Sequence, residues 1–176
     1  DRLDEMAYWE TLETGKPISQ AKAEIDAAAD HYEAAAGMAR LVSGETHNTY
    51  GEGMIGLVTK QPIGVVGLIT PWNFPFIVLA ERLPFILAAG CTVVLKPSEM
   101  TSTTSLIFAR ILNEAGLPKG VYNVVTGTGP VVGEAMSNHL DIDMISFTGS
   151  TAVGERVLEA SKSNLKKVGL ELGGKN

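Results

Sequence analysis

The chain has 176 residues, of which 45% are hydrophobic and 19% are charged, the balance of a folded globular protein. Against 20 Asp and Glu side chains stand 14 Lys and Arg, and the net charge of −6 excludes the basic surface that non-specific nucleic-acid binding needs. The single cysteine, Cys91, cannot form an intramolecular disulfide, which favours a reducing compartment, and we take this to be the cytoplasm.

The first 46 residues are predicted to form two helices that pack on the domain that follows. Apolar residues recur at helical spacing within residues 2–14, and Gly15-Lys16-Pro17 then breaks the pattern. A second helix is predicted from about residue 19 to residue 40, with a face of small side chains suited to close helix packing.

Residues 47–62 are predicted to leave the helical part as a small β excursion. The run 54–59 is β-like, and Lys60-Gln61-Pro62 separates it from a second β-like run at 63–69. Two arrangements fit this pattern, a hairpin between the two runs and an excursion away from the main body.

From residue 63 to residue 176, short apolar runs alternate with helical patterns. The apolar runs lack polar alternation, which predicts strands covered on both faces and an α/β fold with a doubly wound, Rossmann-like parallel sheet. The longest apolar stretch, 83–95, is shorter than the roughly 20 residues of a membrane helix, so no membrane partner is expected. The predicted strands are 65–69, 92–95, 121–125, 144–147 and 168–170, and the predicted helices are 75–89, 102–115 with a cap at Thr101 or Ser102, 130–138 and 151–162.

Polar or glycine-bearing segments follow all five predicted strands. Because ligands bind beyond the carboxyl ends of the strands in such a sheet, these segments predict a ligand site at one edge. Cys91 precedes a strand on the opposite edge, so we interpret it as a small buried residue and not as a nucleophile. The histidines show no ligand spacing, and no metal site is predicted. The five segments are Thr70-Pro71-Trp72-Asn73, Lys96-Pro97-Ser98-Glu99, Thr126-Gly127-Thr128-Gly129, Thr148-Gly149-Ser150-Thr151 and Glu171-Leu172-Gly173-Gly174.

Two of these segments have the composition of phosphate-binding turns. Gly127, Gly129 and Gly133 form G-x-G-x-x-x-G, which differs from the dinucleotide fingerprint and indicates a tight turn or a ligand turn with equal weight. Ser150, after Gly149, can cap the next helix and donate to a phosphate at the helix N-terminus, and the two roles are compatible.

A cation and a carboxylate stand three residues apart at Lys96 and Glu99. The carboxylate can accept hydrogen bonds from both hydroxyls of a ribose and would repel a 2′-phosphate, which favours NAD over NADP. The alternative is a surface ion pair with little effect on stability, but the position at a strand end favours the ligand.

Asn73 and Glu171 are the candidate catalytic residues. Asn73 lies on a turn between Pro71 and Pro75, where its amide can donate to an oxyanion or cap the turn. Glu171 follows an apolar strand, and apolar surroundings would allow its carboxyl group to act as a base near neutral pH. The alternative for Glu171 is a solvated carboxylate at a strand end.

Four motifs occur in an order and approximate spacing that resemble the aldehyde dehydrogenase family. They lie at 70–75, 96–99, 147–151 and 171–175, and Glu13-Thr14-Gly15-Lys16-Pro17 resembles the family as well. The resemblance covers nearly the whole chain. It implies an oxidoreductase that converts an aldehyde to a carboxylic acid with NAD(P)+ through a cysteine thiohemiacetal and thioester. It also implies a homo-oligomer, dimer or tetramer, with the segment His47–Gln61 in the strand excursion that helps these enzymes to assemble.

The resemblance assigns roles to single residues. Asn73 resembles the oxyanion-hole amide, and Glu171 resembles the base that activates the deacylating water. Lys96 and Glu99 resemble the ribose ligands, with NAD as the cofactor and NADP as the alternative. The remaining predicted cofactor contacts are Trp72 and Ser150 at the pyrophosphate, Gly129 and Val153 at the adenine, Phe147 and Leu172 at the nicotinamide, and Thr70, Pro71, Ser98, Gly133, Thr148 and Gly149 around them.

Two departures from the family pattern bear on function. Arg82 stands where the family often has Lys, which keeps the charge but replaces a point charge with a planar fork. The family's nucleophilic cysteine follows the motif at 171–174, so we expect the chain to be truncated before it and to be inactive alone. The alternatives to an enzyme are a nucleotide-binding module and a non-catalytic structural protein that uses the same fold. Asn73 and Glu171 disfavour the structural protein, because packing requires neither.

Overall fold

Two antiparallel-packed helices open the computed structural model, which describes residues 2–175. Helix α1 spans Leu3–Thr14 and helix α2 spans Ile18–Met38. The two helices contact each other closely because alanines lie at their interface, and Ala7 and Ala21 are fully buried. Both helices predicted from the sequence are therefore present, and α2 ends two residues earlier than expected.

A two-stranded antiparallel ribbon follows the helices. Strand β1, Glu45–His47, pairs with strand β2, Gly56–Val58, so that Thr46 faces Leu57. The β-like run at 54–59 thus pairs with a strand that precedes it, and the hairpin considered with residues 63–69 does not form. Residues 65–69 join the main sheet instead, whose apolar neighbours cover both of their faces.

A five-stranded parallel sheet forms the centre of the rest of the chain, as the alternating apolar runs predicted. Its strand order is β5-β4-β3-β6-β7, so the chain moves outward on one side of β3 and then returns to build the other side. This arrangement places all five carboxyl ends at one edge and confirms the doubly wound fold. The strands are β3 Val65–Ile69, β4 Thr92–Lys96, β5 Tyr122–Val124, β6 Met144–Gly149 and β7 Lys167–Leu172.

Helices cover both faces of the sheet, and one predicted helix is broken in two. Pro84 occupies the first turn of α4, where it lacks the N–H that a continuous helix would need, so the prediction of one helix over 75–89 was wrong. The helices are α3 Pro75–Ala80, α4 Leu83–Ala88, α5 Thr103–Glu114, α6 Glu134–Asn138 after a π-helical turn at Gly129–Gly133, and α7 Thr151–Ala160 followed by a 3-10 turn at Ser161–Ser163.

The first turn of α5 is capped from another helix. Neither Thr101 nor Ser102 bonds the helix N-terminus with its side chain, contrary to the sequence prediction. The carboxylate of Glu13, at the end of α1, accepts from the Thr103 backbone N–H at 3.3 Å and from Thr103 Oγ1 at 2.5 Å. A carboxylate stabilises a helix N-terminus more than a hydroxyl does, because it also meets the positive end of the helix dipole.

Apolar cores lie on the two faces of the sheet. On one face, Leu68 and Leu95 pack against α3, α4 and α5. On the other face, Ile145 and Phe147 pack against α6 and α7. Within residues 2–175, the helices are all too short or too polar to cross a membrane.

Candidate cofactor and catalytic site

The strand register brings the predicted site segments together. Ile69 pairs with Lys96 on one side and with Phe147 on the other, and Thr148 pairs with Glu171. The segments after β3, β4, β6 and β7 therefore lie side by side at the carboxyl edge. Cys91 stands before β4, is buried, and lies five residues from Lys96, or about 16 Å along an extended strand. The expectation that its thiol lies away from the site is confirmed.

The segment after β3 is anchored at its start and exposed at its tip. The Thr70 backbone N–H donates to Lys96 O at 3.2 Å, and Thr70 is buried with no hydrogen-bond partner for its Oγ1 among the described residues. Pro71 is half-buried, whereas Trp72 and Asn73 are exposed. The Asn73 side chain is accordingly free of the sheet core and available to a ligand at this edge.

The segment after β4 contains a buried cation. Lys96 is only 3% exposed, and its Nζ donates to Pro97 O at 2.9 Å and lies 3.3 Å from Glu99 Oε2. The backbone N–H of Glu99, and after it Lys96, hold the pKa of the Glu99 carboxyl below its usual range. Because Lys96 is buried, the pair differs from the surface ion pair considered from the sequence. The buried ammonium holds the half-exposed Glu99 carboxylate, which faces solvent.

The turn around Ser98 fixes that carboxylate in direction. Ser98 is half-buried, and its Oγ accepts from the Met100 backbone N–H at 3.3 Å. Its carbonyl accepts from the Thr101 N–H at 3.1 Å and from Ser102 Oγ at 2.9 Å. Ser98 is thus a residue that shapes the turn in this structure.

The sequence left open whether the glycines after β5 form a tight turn or face a ligand, and the structure differs from one glycine to the next. Gly127 has φ +147°, and a Cβ there would lie 2.5 Å from the Val132 side chain, so this glycine serves the turn. A Cβ at Gly129 would meet nothing within 4 Å, so this position faces open space. Gly133 is buried against the Lys96 stem.

The end of β6 and the start of α7 are built around Phe147 and Ser150. A Cβ at Gly149 would lie 2.6 Å from Phe147 Cζ, so the glycine is required by the buried ring rather than by a ligand. Thr148 is half-buried beside it. Ser150 Oγ accepts from the Val153 N–H at 3.4 Å and caps α7, as the sequence predicted.

A cavity of about 470 Å³ opens between α6 and α7. Four predicted residues line it: Gly129, Gly133, Phe147 and Val153. Sequence reasoning missed the rest of its wall, which includes Arg156, Val157 and Ala160. These three follow Val153 at helical spacing, so the period of α7 is the signal that would have found them.

The far wall of the cavity is fastened by a lysine that the sequence did not single out. Lys166 is 6% exposed, and its Nζ donates to Ser137 O at 2.8 Å, to His139 O at 2.9 Å and to Ser163 Oγ at 3.1 Å. Ser137 and Ser163 both line the cavity. The cation therefore ties the end of α6 to the turn after α7 and fixes the width of the cavity.

The surroundings of Glu171 differ from the expectation. Its side chain is 65% exposed, and the nearest charged group is Arg82, whose Nη2 lies 3.5 Å from Glu171 Oε1. Of the two surroundings considered for Glu171, this chain shows the solvated one: β7 continues through Glu171 to Leu172 as the outermost strand of the sheet, and its end is exposed. Leu172 packs its Cδ atoms towards Gly154, where a Cβ would lie 2.5 Å away.

Comparison with known proteins gives a single family. The model of the aldehyde dehydrogenase family matches residues 1–176. Aldehyde dehydrogenase family 2 member C4 of Arabidopsis thaliana is 46% identical over the whole chain, which covers 36% of that protein. A crystal structure of an NAD-dependent aldehyde dehydrogenase from Sinorhizobium meliloti is 52% identical, with a TM-score of 0.96 over 99% of this chain and 35% of the other.

A betaine aldehyde dehydrogenase of Staphylococcus aureus, solved in complex with NAD+, is 36% identical, with a TM-score of 0.96 over 99% of this chain and 36% of the other. The chain thus spans about a third of the length of the relatives it matches. Sequence and fold agree along its whole length, and the chain belongs to the aldehyde dehydrogenase family.

Proposed function

We propose that this chain binds NAD+ at the carboxyl edge of its sheet, as the cofactor-binding part of an enzyme that oxidises an aldehyde to a carboxylic acid. The observation that carries the proposal is the cavity between α6 and α7, which lies beside a buried lysine, an ionised carboxylate and a capped helix N-terminus. Clefts at this edge of a doubly wound sheet are where such folds bind dinucleotides.

The residues present fit the chemical parts of NAD+. Val153 and the open face at Gly129 offer an apolar slot for an adenine ring. Lys96 and Glu99 offer a donor and an acceptor of opposite charge to the adenosine ribose. The start of α7 offers backbone N–H groups to a pyrophosphate beside Ser150.

The adenine, ribose and pyrophosphate positions define a path for NAD+ along the carboxyl edge. The roles of the other predicted contacts follow from where they lie along this path. Trp72, exposed after β3, would lie against the pyrophosphate, with Thr70 and Pro71 before it. Leu172 would lie on the nicotinamide side, whereas Phe147, for which the resemblance implies the same place, lines the cavity that Val153 and Gly129 share. The turn residues Ser98, Gly133, Thr148 and Gly149 would shape the path, and the unpartnered Thr70 Oγ1 is a buried polar atom at its floor.

Bound NAD+ would supply the hydride acceptor, and the chain's own residues would manage charge and water. The Asn73 amide donates to the oxyanion of a tetrahedral intermediate, a role that typically lowers a barrier by about 3–4 kcal/mol. The Glu171 carboxylate takes a proton from the water that attacks the thioester, so the acyl acceptor is water. Arg82 holds that carboxylate at one of its oxygens. Cys91 is not the nucleophile of the reaction, since it is buried at the other edge.

The β1–β2 ribbon, outside the main sheet, supports a proposal for how subunits of the enzyme would assemble. Exposed apolar side chains cluster on the β1–β2 ribbon, where Ile55 and Leu57 are 71% and 72% exposed. We assign the segment predicted at 47–62 to oligomerisation, with its start moved to Glu45 because β1 spans Glu45–His47. The helices before it would support the cofactor domain, which we assign to residues 63–176. The enzyme would then be a cytoplasmic dimer or tetramer, where the cytoplasm is proposed because Cys91 has no second cysteine in this chain with which to form a disulfide.

A chimera tests the proposal. These 176 residues replace the matching segment of the Sinorhizobium meliloti enzyme, with which they share 52% identity, and NADH formation from NAD+ and an aldehyde is measured. We expect turnover that is lost in the Asn73→Ala chimera. A folded chimera that binds NAD+ but never forms NADH would favour the nucleotide-binding module. A folded chimera without affinity for NAD+ would favour the non-catalytic structural protein.

A further inference from the structure

Residues 13–17, the end of α1 and the turn before α2, contact both of the segments that the proposed function uses. Gly15 ends α1 with φ +78°, and its N–H donates to Thr11 O at 2.9 Å. Pro17 precedes α2 and fixes the direction of the chain. The side chains of Glu13 and Lys16, on either side of Gly15, diverge: Glu13 points towards the segment after β4 and Lys16 towards the segment after β3.

Lys16 holds the segment that carries Asn73. Its Nζ lies 4.7 Å from the centroid of the Phe74 ring, and Phe74 is the residue after Asn73. The ammonium is itself fixed, because it lies 3.1 Å from Glu10 Oε1 and also binds Glu24 Oε2. The Lys16 side chain is 8% exposed. A cation–π contact is stronger for a desolvated cation than for an exposed one, so this contact restrains the ring.

Glu13 holds the segment that carries Glu99. Its carboxylate caps α5 through the N–H and hydroxyl of Thr103, four residues after Glu99. The turn from Lys96 to Thr103 is therefore fixed at both ends: by β4 at its start and by Glu13 at its end. The direction of the Glu99 carboxylate depends on that turn, since Lys96 and the backbone of the turn are its partners.

We propose that Glu13 and Lys16 are positioning residues for the carboxyl edge: Lys16 orders the Asn73 segment through Phe74, and Glu13 orders the Glu99 segment through Thr103. Their catalytic and binding consequences rest on the proposed function, whereas the ordering itself does not. Neither side chain reaches the cavity, so each acts through another residue.

The experiment measures backbone 15N order parameters in the 176-residue chain, together with NAD+ affinity by calorimetry. Removing Lys16 alone would leave the buried Glu10 carboxylate and the partly buried Glu24 carboxylate without their cation. The variant Lys16→Met/Glu10→Gln leaves the net charge of the cluster unchanged, and the remaining carboxylate, Glu24, keeps its hydrogen bond from Gln20 Nε2 at 2.7 Å. Glu13→Gln weakens the cap, because a neutral amide oxygen replaces the charged carboxylate that accepts from Thr103. The matched control is Lys22→Met, which breaks an exposed ion pair between the same two helices, Lys22 Nζ to Asp4 Oδ1 at 2.6 Å.

The order parameters of Trp72, Asn73 and Phe74 are expected to fall from about 0.85 to below about 0.6 in Lys16→Met/Glu10→Gln, with residues 99–103 unchanged. In Glu13→Gln, the order parameters of residues 99–103 should fall and those of residues 72–74 should stay unchanged. NAD+ binding should weaken by about 3- to 10-fold, as the loss of a charged hydrogen bond allows. Lys16→Arg should keep the Asn73 segment ordered, because a guanidinium also stacks on the ring.

Order parameters that stay near those of the starting chain in both variants would overturn the proposal. The proposal would also be overturned if the control Lys22→Met lowered the order parameters as much as the two variants do. The same holds if each variant lowered the order parameters of both segments. A starting chain that shows the ordering pattern but does not bind NAD+ would leave the positioning intact and remove the proposed function.

Discussion

Arg82 Nη2 lies 3.5 Å from Glu171 Oε1, so the candidate base of the site has a guanidinium beside it. Arg82 is at the break between α3 and α4, and this break is the consequence of Pro84. A sequence feature that interrupts a helix thereby places a cation against the end of β7. The contact is single and the carboxylate is 65% exposed, which leaves its second oxygen available to a water molecule.

Glu171→Gln in the chimera should separate the two chemical steps. We expect a burst of NADH with steady turnover reduced by roughly 100- to 10,000-fold, because a base is needed only when water attacks the thioester. Stopped-flow NADH formation measures both phases, and the melting temperature controls for folding. An abolished burst in a stable chimera would move Glu171 to activation of the nucleophile, and an unchanged steady rate would remove it from the mechanism.

Arg82→Met in the chimera should have a smaller effect on the same step. Exposed ion pairs contribute about 0.2–1 kcal/mol, so we expect steady turnover to fall less than about 5-fold while the burst is kept. Arg82→Lys should retain more activity than Arg82→Met, since the charge remains. The steady rates of the two variants are compared side by side. Equal rates would mean that the charge of Arg82 does not act on Glu171.

Glu10→Gln should stabilise the chain at neutral pH. Burial raises the pKa of the Glu10 carboxyl above its usual 4.5, so its ionisation costs stability as the pH rises from about 4.5 through the raised value. The neutral amide removes this loss and can still accept a hydrogen bond from Lys16. We expect a higher melting temperature at pH 7 and no gain below about pH 4.5, measured by thermal unfolding at both pH values. A gain that is larger in acid would contradict the assignment.

Ile55→Lys should weaken assembly of the chimera. Ile55 is 71% exposed on the β1–β2 ribbon, and a buried lysine at a subunit interface would be costly. The control is Leu165→Lys, at a residue that is 85% exposed and distant from the ribbon in sequence. Analytical ultracentrifugation should show smaller particles for Ile55→Lys only. If both variants assemble as the parent does, the ribbon is not an interface.

Sequence patterns predicted the sheet better than the connections around it. The five strands were evident because a strand buried on both faces must be apolar throughout, as in Val93 and Leu95. Strand β1, Glu45–His47, was not evident, because it is short and polar and exists only through its pairing with residues 56–58. The break near Pro84 followed from local chemistry that the apolar pattern concealed.

In the candidate site, too, local features could be predicted from the sequence and contacts between distant residues could not. The segments after the strands could be predicted from topology alone, and the cap at Ser150 from residue type. The environment of Glu171 could not, because Arg82 approaches it from a different part of the chain. Glu13 and Lys16 were seen as part of a motif, but their contacts with Thr103 and Phe74 join residues far apart in sequence.

Calorimetric titration of the 176-residue chain with NAD+ and with NADP+ tests the central claim most directly. The proposed function places the Glu99 carboxylate beside the adenosine ribose, where it would repel a 2′-phosphate, so we predict that NAD+ binds at least about tenfold more tightly than NADP+. Glu99→Ala should reduce the ratio of the NAD+ affinity to the NADP+ affinity. The control Glu155→Ala, at an exposed carboxylate on α7, should leave this ratio unchanged. Equal affinities for the two nucleotides in the starting chain, or no binding of either, would contradict the account.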